Sequence, residues 1–137
     1  MERGDAEGAA AAAEYFIELY PYVMATGDTE EFEAMSHRAC DYCAGTLENA
    51  KWLEENSGSF EGGRTDAVLA KTYRRDGLTG VIPFDFATSQ DEIWIRDEDG
   101  NQTDYVSKTD FEARVEVGRR GEAWLIVEVA PDPDRDR

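Results

Sequence analysis

The chain has 137 residues, 41% hydrophobic and 33% charged, which fits one globular domain with its own core and is too apolar for wholesale disorder. Its 31 acidic and 14 basic residues leave a net charge of -17, a field that repels phosphate backbones and anionic lipid, so nucleic acid is not expected as a partner. No run reaches the roughly 18 apolar residues that cross a bilayer, no basic-then-apolar secretion signal opens the chain, and no cofactor is expected.

Residues 1–8 read as a flexible N-terminus and 9–130 as a single domain. From Ala9 an alanine run leads into Ala12, Phe16, Leu19 and Val23, the spacing of a helix with one buried face. Tyr15 and Tyr22 line an adjacent stripe. Pro21 removes a donor and clashes with the preceding turn, which predicts a kink or early fraying. Gly27 stops this helix, and Asp28 with Glu31 forms an approximate capping box for a short second helix carrying Phe32 and Met35. A third helix is predicted from about Asp41 to Asn56, with Cys43, Leu47, Ala50 and Leu53 on one stripe. Ser57, Gly58 and then Gly62-Gly63 end the helical half.

After Gly63 the period changes: Val68, Ala70 and Thr72 alternate with Leu69, Lys71 and Tyr73. Arg75-Asp76-Gly77 turns into a second strand, Leu78 to Thr88, in which Ile82, Phe84 and Phe86 share a face and Pro83 implies an edge position or a bulge. Ile93-Trp94-Ile95 is a short strand, followed by a polar hairpin loop at 97–101 and re-entry near Tyr105. Two long strands close the domain, Phe111 to Val117 and Ala123 to Val129. In the second, Leu125, Val127 and Val129 face one way and Trp124, Ile126 and Glu128 the other. Residues 131–137 read as a disordered tail.

Three helices followed by a meander of strands resemble the nuclear-transport-factor-2-like, or cystatin-like cone, superfamily, which includes ketosteroid isomerases and SnoaL-like polyketide cyclases. The resemblance implies an α+β cone, three N-terminal helices packed on a curved antiparallel sheet. The stretches Ala12-Ala13-Glu14-Tyr15-Phe16, Tyr22 through Asp28, Cys40-Asp41-Tyr42-Cys43 and Glu61-Gly62-Gly63 resemble a family of actinobacterial lipoproteins of unknown function. That likeness implies a native protein longer at its N-terminus, extracytoplasmic, and tethered by a lipid-modified cysteine upstream of Met1. The membrane would then be met only through an anchor absent from this chain.

Cys40 and Cys43 are the only cysteines, and C-x-x-C at a helix start brings two sulfurs within bonding reach. A disulfide is the leading reading, stabilising by about 2 kcal/mol for so short a loop. Two buried thiols, a redox pair with a thiol activated by the helix dipole, and a metal site using His37, Cys40 and Cys43 are the alternatives. The metal reading is short of the four ligands a structural zinc takes. His37, the only histidine, lies in the link between the second and third helices, where capping is the ordinary role.

An isomerase-like enzyme would need a carboxylate inside the cone, and Asp85 between Phe84 and Phe86 is the candidate. Strand parity opposes it: if both rings enter the core, Asp85 faces away unless a bulge intervenes. Tyr15, Trp52, Phe60, Phe84, Phe86, Trp94, Phe111 and Trp124 either fill the core or line a pocket between helices and sheet. The leading expectation is a noncatalytic domain that binds a small apolar ligand or a protein. An enzyme using Asp85 and a structural homodimer, joined through an outer sheet face bearing Trp94 and Trp124, are the alternatives.

Overall fold

The computed structural model describes residues 6–121 and 123–131. Residues 1–5 and 132–137 lie outside the described residues, and Pro131, expected to open the tail at 131–137, instead closes the last strand. Helix α1 (Ala6–Thr26) begins ahead of the expected Ala9, because the alanine-rich run carries helix propensity back to Ala6. It buries Ala13, Phe16, Leu19 and Val23 and runs unbroken through Pro21. The expected fraying does not occur: Val23 and Met24 are buried beyond the proline and hold the last turn, and Gly27, at φ +76°, closes it with its N–H on the Val23 carbonyl at 2.9 Å.

Helix α2 (Glu30–Met35) has Thr29 as its N-cap, with no side-chain cap bond. Half of the expected Asp28–Glu31 capping box forms: the Asp28 carboxylate accepts from Glu30 N–H at 3.4 Å as well as from the Tyr22 hydroxyl at 2.8 Å, while the Glu31 carboxylate accepts from the Tyr15 hydroxyl. Phe32 is the only buried residue of α2, and its ring stacks on Phe16 with centroids 4.3 Å apart. Helix α3 (Asp41–Glu55) buries Cys43, Ala50 and Leu53 as its stripe requires.

Seven antiparallel strands follow: β1 (Ser59–Gly62), β2 (Thr65–Thr72), β3 (Ile82–Gln90), β4 (Ile93–Arg96), β5 (Gln102–Val106), β6 (Thr109–Arg120) and β7 (Ala123–Pro131). They make two sheets, β1-β4-β5 and β2-β3-β6-β7. Strand begins before Gly63, at Ser59; with only Phe60 buried in four residues, β1 is too short to show an alternation. Residues 77–79 form a turn and strand begins only at Ile82, because the Asp76 carboxylate accepts from the N–H groups of Leu78 (2.7 Å) and Thr79 (3.1 Å) and traps the chain there.

Pro83 is not on an edge. β3 lies between β2 and β6, and Pro83 sits near its start, where its carbonyl still accepts from Tyr73 N–H at 3.0 Å. The register shift lies in the neighbouring strand, between Leu69 and Lys71 of β2. A second shift alters β7: Val117 pairs with Ile126 and Glu116 with Glu128, so Val127 is the extra residue. Ile126 and Val129, read as opposite faces from strict alternation, are consequently both buried.

The helices cover the larger sheet. α1 lies against β2 and α3, while α2 and α3 lie against β7. Phe84, Phe86, Val115, Val117 and Ile126 supply the fully buried sheet side of the core. Both outer strands of this sheet have polar cover: the Glu18 carboxylate accepts from Ala67 N–H on β2 (3.0 Å), and the α2–α3 link bridges β7 at Ser36–Ile126.

Trp94 and Trp124 do not share a face. Trp94 belongs to the three-stranded sheet and packs on Tyr105, centroids 5.8 Å apart, whereas Trp124 lies in β7 under the Arg119 guanidinium at 4.6 Å. The surface expected to join two copies is thus split between two sheets. No helix among the described residues is long and apolar enough to cross a membrane.

Candidate functional site

Cys40 and Cys43 are bonded to each other, with Cα atoms 5.2 Å apart, and both are buried. Cys40 is the N-cap of α3, its Sγ accepting from Cys43 N–H at 3.1 Å. The next orphan donors at this helix end are met from β7: the Glu128 carboxylate accepts from Asp41 N–H and Tyr42 N–H, each at 3.2 Å. Sequence reasoning missed Glu128 because the pairing bridges residues far apart in the chain.

His37 has a local job, its Nδ1 accepting from Ala39 N–H at 3.0 Å and its backbone N–H donating to the Ile126 carbonyl at 2.9 Å. With both sulfurs in the disulfide, His37-x-x-Cys40-x-x-Cys43 presents no thiolate to a metal, while the bonded pair is also the oxidised form that a redox pair takes. Reduction is expected to lower the unfolding free energy by about 2 kcal/mol. Urea unfolding with and without reductant measures it, and identical midpoints would contradict the staple.

Asp85 stands opposite Arg114 of β6 and Lys71 of β2 in the sheet register, alternating with the core residues Phe84 and Phe86. It is 4% exposed. Arg114 donates from Nε to Oδ1 at 2.8 Å and from Nη2 to Oδ2 at 3.2 Å, and the Tyr73 hydroxyl donates to Oδ2 at 2.6 Å. Lys71 and Arg114 also stand over the Tyr73 ring, 4.6 and 4.8 Å from its centroid. The Arg114 bond, aided by Tyr73 and opposed by burial, holds the Asp85 carboxyl below its ordinary range. An ionised, fully bonded carboxylate on this face is no base for a substrate in the cone.

The concave side carries an open cavity of about 380 Å³ between the helices and the larger sheet. Helix α1 contributes Ile17 and Tyr20, helix α3 contributes Tyr42, Gly45, Thr46 and Asn49, and the sheet contributes Thr65, Gln90, Phe111, Ala113 and Val129. No Asp, Glu, Lys, Arg or His is among these described residues. Burial pushes the Tyr42 and Tyr20 phenols up, so both stay protonated. Gln90 Nε2 donates to Thr65 Oγ1 at 3.2 Å, and Thr65 donates to the Gly63 carbonyl at 2.7 Å. The lining thus offers apolar walls and neutral hydrogen-bonding groups.

Of the aromatic residues expected around a pocket, only Phe111 lines this cavity. Phe60, Phe84 and Phe86 are core, while Trp94 and Trp124 pack on other surfaces. Tyr15 (46% exposed) and Trp52 (58% exposed) lie at the surface, Tyr15 in an open depression of about 550 Å³ along α1–α2 lined by four carboxylate or phenol side chains besides its own, and Trp52 in one of about 200 Å³ beside the 97–99 loop. The residues missed carried a signal: Tyr42, Gly45, Thr46 and Asn49 recur at the i, i+3, i+4, i+7 spacing of one helix face, beside the apolar stripe of α3.

Three helices on antiparallel sheets with a concave-side cavity define an α+β domain of the nuclear-transport-factor-2-like kind. The chain belongs to DUF6318, a family of unknown function whose profile matches residues 1–130. No curated protein matches it. The intermembrane space region of the chloroplast protein ARC6 is similar in structure, with TM-score 0.56 and 14% identity over 93% of this chain and 95% of that one. A variant of Rd1NTF2_05 gives TM-score 0.55 and 9% identity over 93% and 99%. A periplasmic fragment of TraM gives TM-score 0.51 and 12% identity over 93% and 97%. At such identities the likeness is one of fold.

Proposed function

We propose that this chain is a noncatalytic binding domain that takes a small molecule in the cavity between α1, α3 and the larger sheet. The observation that carries this reading is the lining itself, an open cavity with apolar walls and neutral polar groups. A general base near neutral pH must be able to take up a proton there; the lining phenols Tyr20 and Tyr42 stay protonated, and Asp85, the carboxylate considered for that part, is bound to Arg114 and Tyr73 on the other side of β3.

The domain works outside the cytoplasm in this reading. The disulfide supports that setting, since such bonds persist in oxidising compartments, and two proteins of similar fold are described as intermembrane-space and periplasmic regions. The resemblance to actinobacterial lipoproteins adds a lipid tether upstream of Met1.

Amide NMR of the chain mixed with cocktails of small neutral fragments tests the site. Shifts are expected to cluster at Gly45, Thr46, Gln90 and Phe111. Shifts confined to the Tyr15–Tyr22 depression, or none at millimolar fragment, would defeat the cavity as the site.

A further inference from the structure

The outer strands of the two sheets are β1, β5, β2 and β7, and of these only β5 is without cover among the described residues. Glu18 and α1 meet β2, the α2–α3 link bridges β7, and α1 and α3 lie against β1. β5 touches no element but β4, and all five of its residues are exposed, Tyr105 by 42% and Val106 by 40%. An open edge is a template for another strand, and proteins often blunt it with lysine or proline; Gln102–Val106 carries neither. Pairing with β4 is regular from Asp104 to Val106. In the middle of that run Tyr105 N–H is held by the carboxylate of its own neighbour, Asp104, at 2.9 Å. A carbonyl arriving on an added strand would take this donor and release Asp104 for a cation.

The charge around the edge says what such a strand carries. Residues 91–106 hold six acidic side chains, Asp91, Glu92, Asp97, Glu98, Asp99 and Asp104, against one basic, Arg96, which is itself bonded to Glu61. The whole chain has 31 against 14, so acidity is concentrated here. At the loop end of β5, Thr103 and the 97–99 loop line the depression that holds Trp52. An exposed indole face beside carboxylates suits a lysine or arginine side chain.

We infer that the free edge of β5 takes up an extended basic segment of a partner protein as an added strand, with one cationic side chain on Asp104 and another at Trp52. Main-chain bonds supply the affinity, and the flanking charges select the sequence. A second copy of this chain fits poorly: antiparallel pairing of β5 about its own centre sets Asp104 opposite Asp104, between chains that each carry a net charge of -17. The edge shares no residue with the cavity between α1, α3 and the larger sheet, so the inference stands apart from that site.

The test uses the full chain and a heptapeptide of alternating lysine and valine, followed by amide NMR and hydrogen exchange. The peptide is expected to bind below millimolar concentration, to slow exchange at Gln102–Val106, and to bind more weakly as salt rises. The same peptide methylated at every backbone nitrogen keeps its charge and should bind at least about tenfold more weakly. Asp104→Lys should weaken the unmethylated peptide at least about tenfold with the melting temperature unchanged. Glu14→Lys, the same change in charge on a helix that touches neither β4 nor β5, should weaken it less than about twofold.

Equal binding of the methylated peptide would mean attraction by charge alone and overturn the added strand. Glu14→Lys weakening the peptide as much as Asp104→Lys would overturn the site, and an equally tight glutamate–valine peptide would overturn the basic partner. A dimer in sedimentation, with β5 amides protected before any peptide is added, would give the edge to a second copy instead. No binding at millimolar peptide would end the proposal.

Discussion

Phe32→Ala is expected to lower the unfolding free energy by about 3–5 kcal/mol, the range for emptying a buried aromatic site. Phe32 is fully buried, and its ring stacks on Phe16 of α1. It is also the only buried residue of α2, a helix too short to persist without docking. The substitution should therefore act on α2 twice, by leaving a cavity against Phe16 and by releasing the helix. Urea unfolding gives the magnitude, and amide hydrogen exchange gives the place, with α2 losing protection before α1 or α3. A loss below about 1 kcal/mol with α2 still protected would show that α2 docks by other contacts.

Arg114→Ala is expected to cost about 3 kcal/mol, because it leaves the Asp85 carboxylate buried with its main partner gone. The penalty lies in the stranded charge rather than in the lost pair, so the double variant Asp85→Asn/Arg114→Ala should be more stable than Arg114→Ala alone. A double variant less stable than either single one would contradict that account.

The pH dependence has a fixed sign. The Asp85 carboxyl is held below the ordinary carboxylate value of 3.8, so its contribution is full above that value and fades as pH falls through the lower folded value. The stability gap between the wild type and Asp85→Asn should then narrow below about pH 4. A gap that is flat down to pH 2, or widens, would mean that the Arg114 bond does not govern this carboxyl.

Much of the helical half was legible because its information is local. Phe16, Leu19 and Val23 in α1, and Cys43, Ala50 and Leu53 in α3, recur at helical spacing and are buried. In β6 the alternation of Ala113, Val115 and Val117 with charged residues marks the buried face directly. The same parity argument separates Asp85 from the face that Phe84 and Phe86 occupy, although the residue bonded to its carboxylate, Arg114, lies on another strand.

What local pattern could not carry were features set by a partner strand or a distant side chain. The extra residue at Val127 turns Ile126 and Val129 to the same side, and nothing within β7 announces it, because a bulge is a mismatch between two strands. The cavity was not legible for a related reason: the large aromatic residues fit a packed core and a pocket wall equally well by pattern, and Phe60, Phe84 and Phe86 are buried in the core. The lining comes from smaller and neutral polar residues such as Thr46, Thr65 and Gln90.

By itself the sequence determined three helices then a sheet, the cysteine pair and the acidic character, since periodicity, spacing and composition are properties of neighbouring residues. Only the tertiary structure decided that Glu128 caps α3, that Trp94 and Trp124 lie in separate sheets, and that Thr46, Thr65 and Gln90 line one cavity. Those juxtapositions depend on strand register and on where helices dock, and both are fixed by the packing of the whole core.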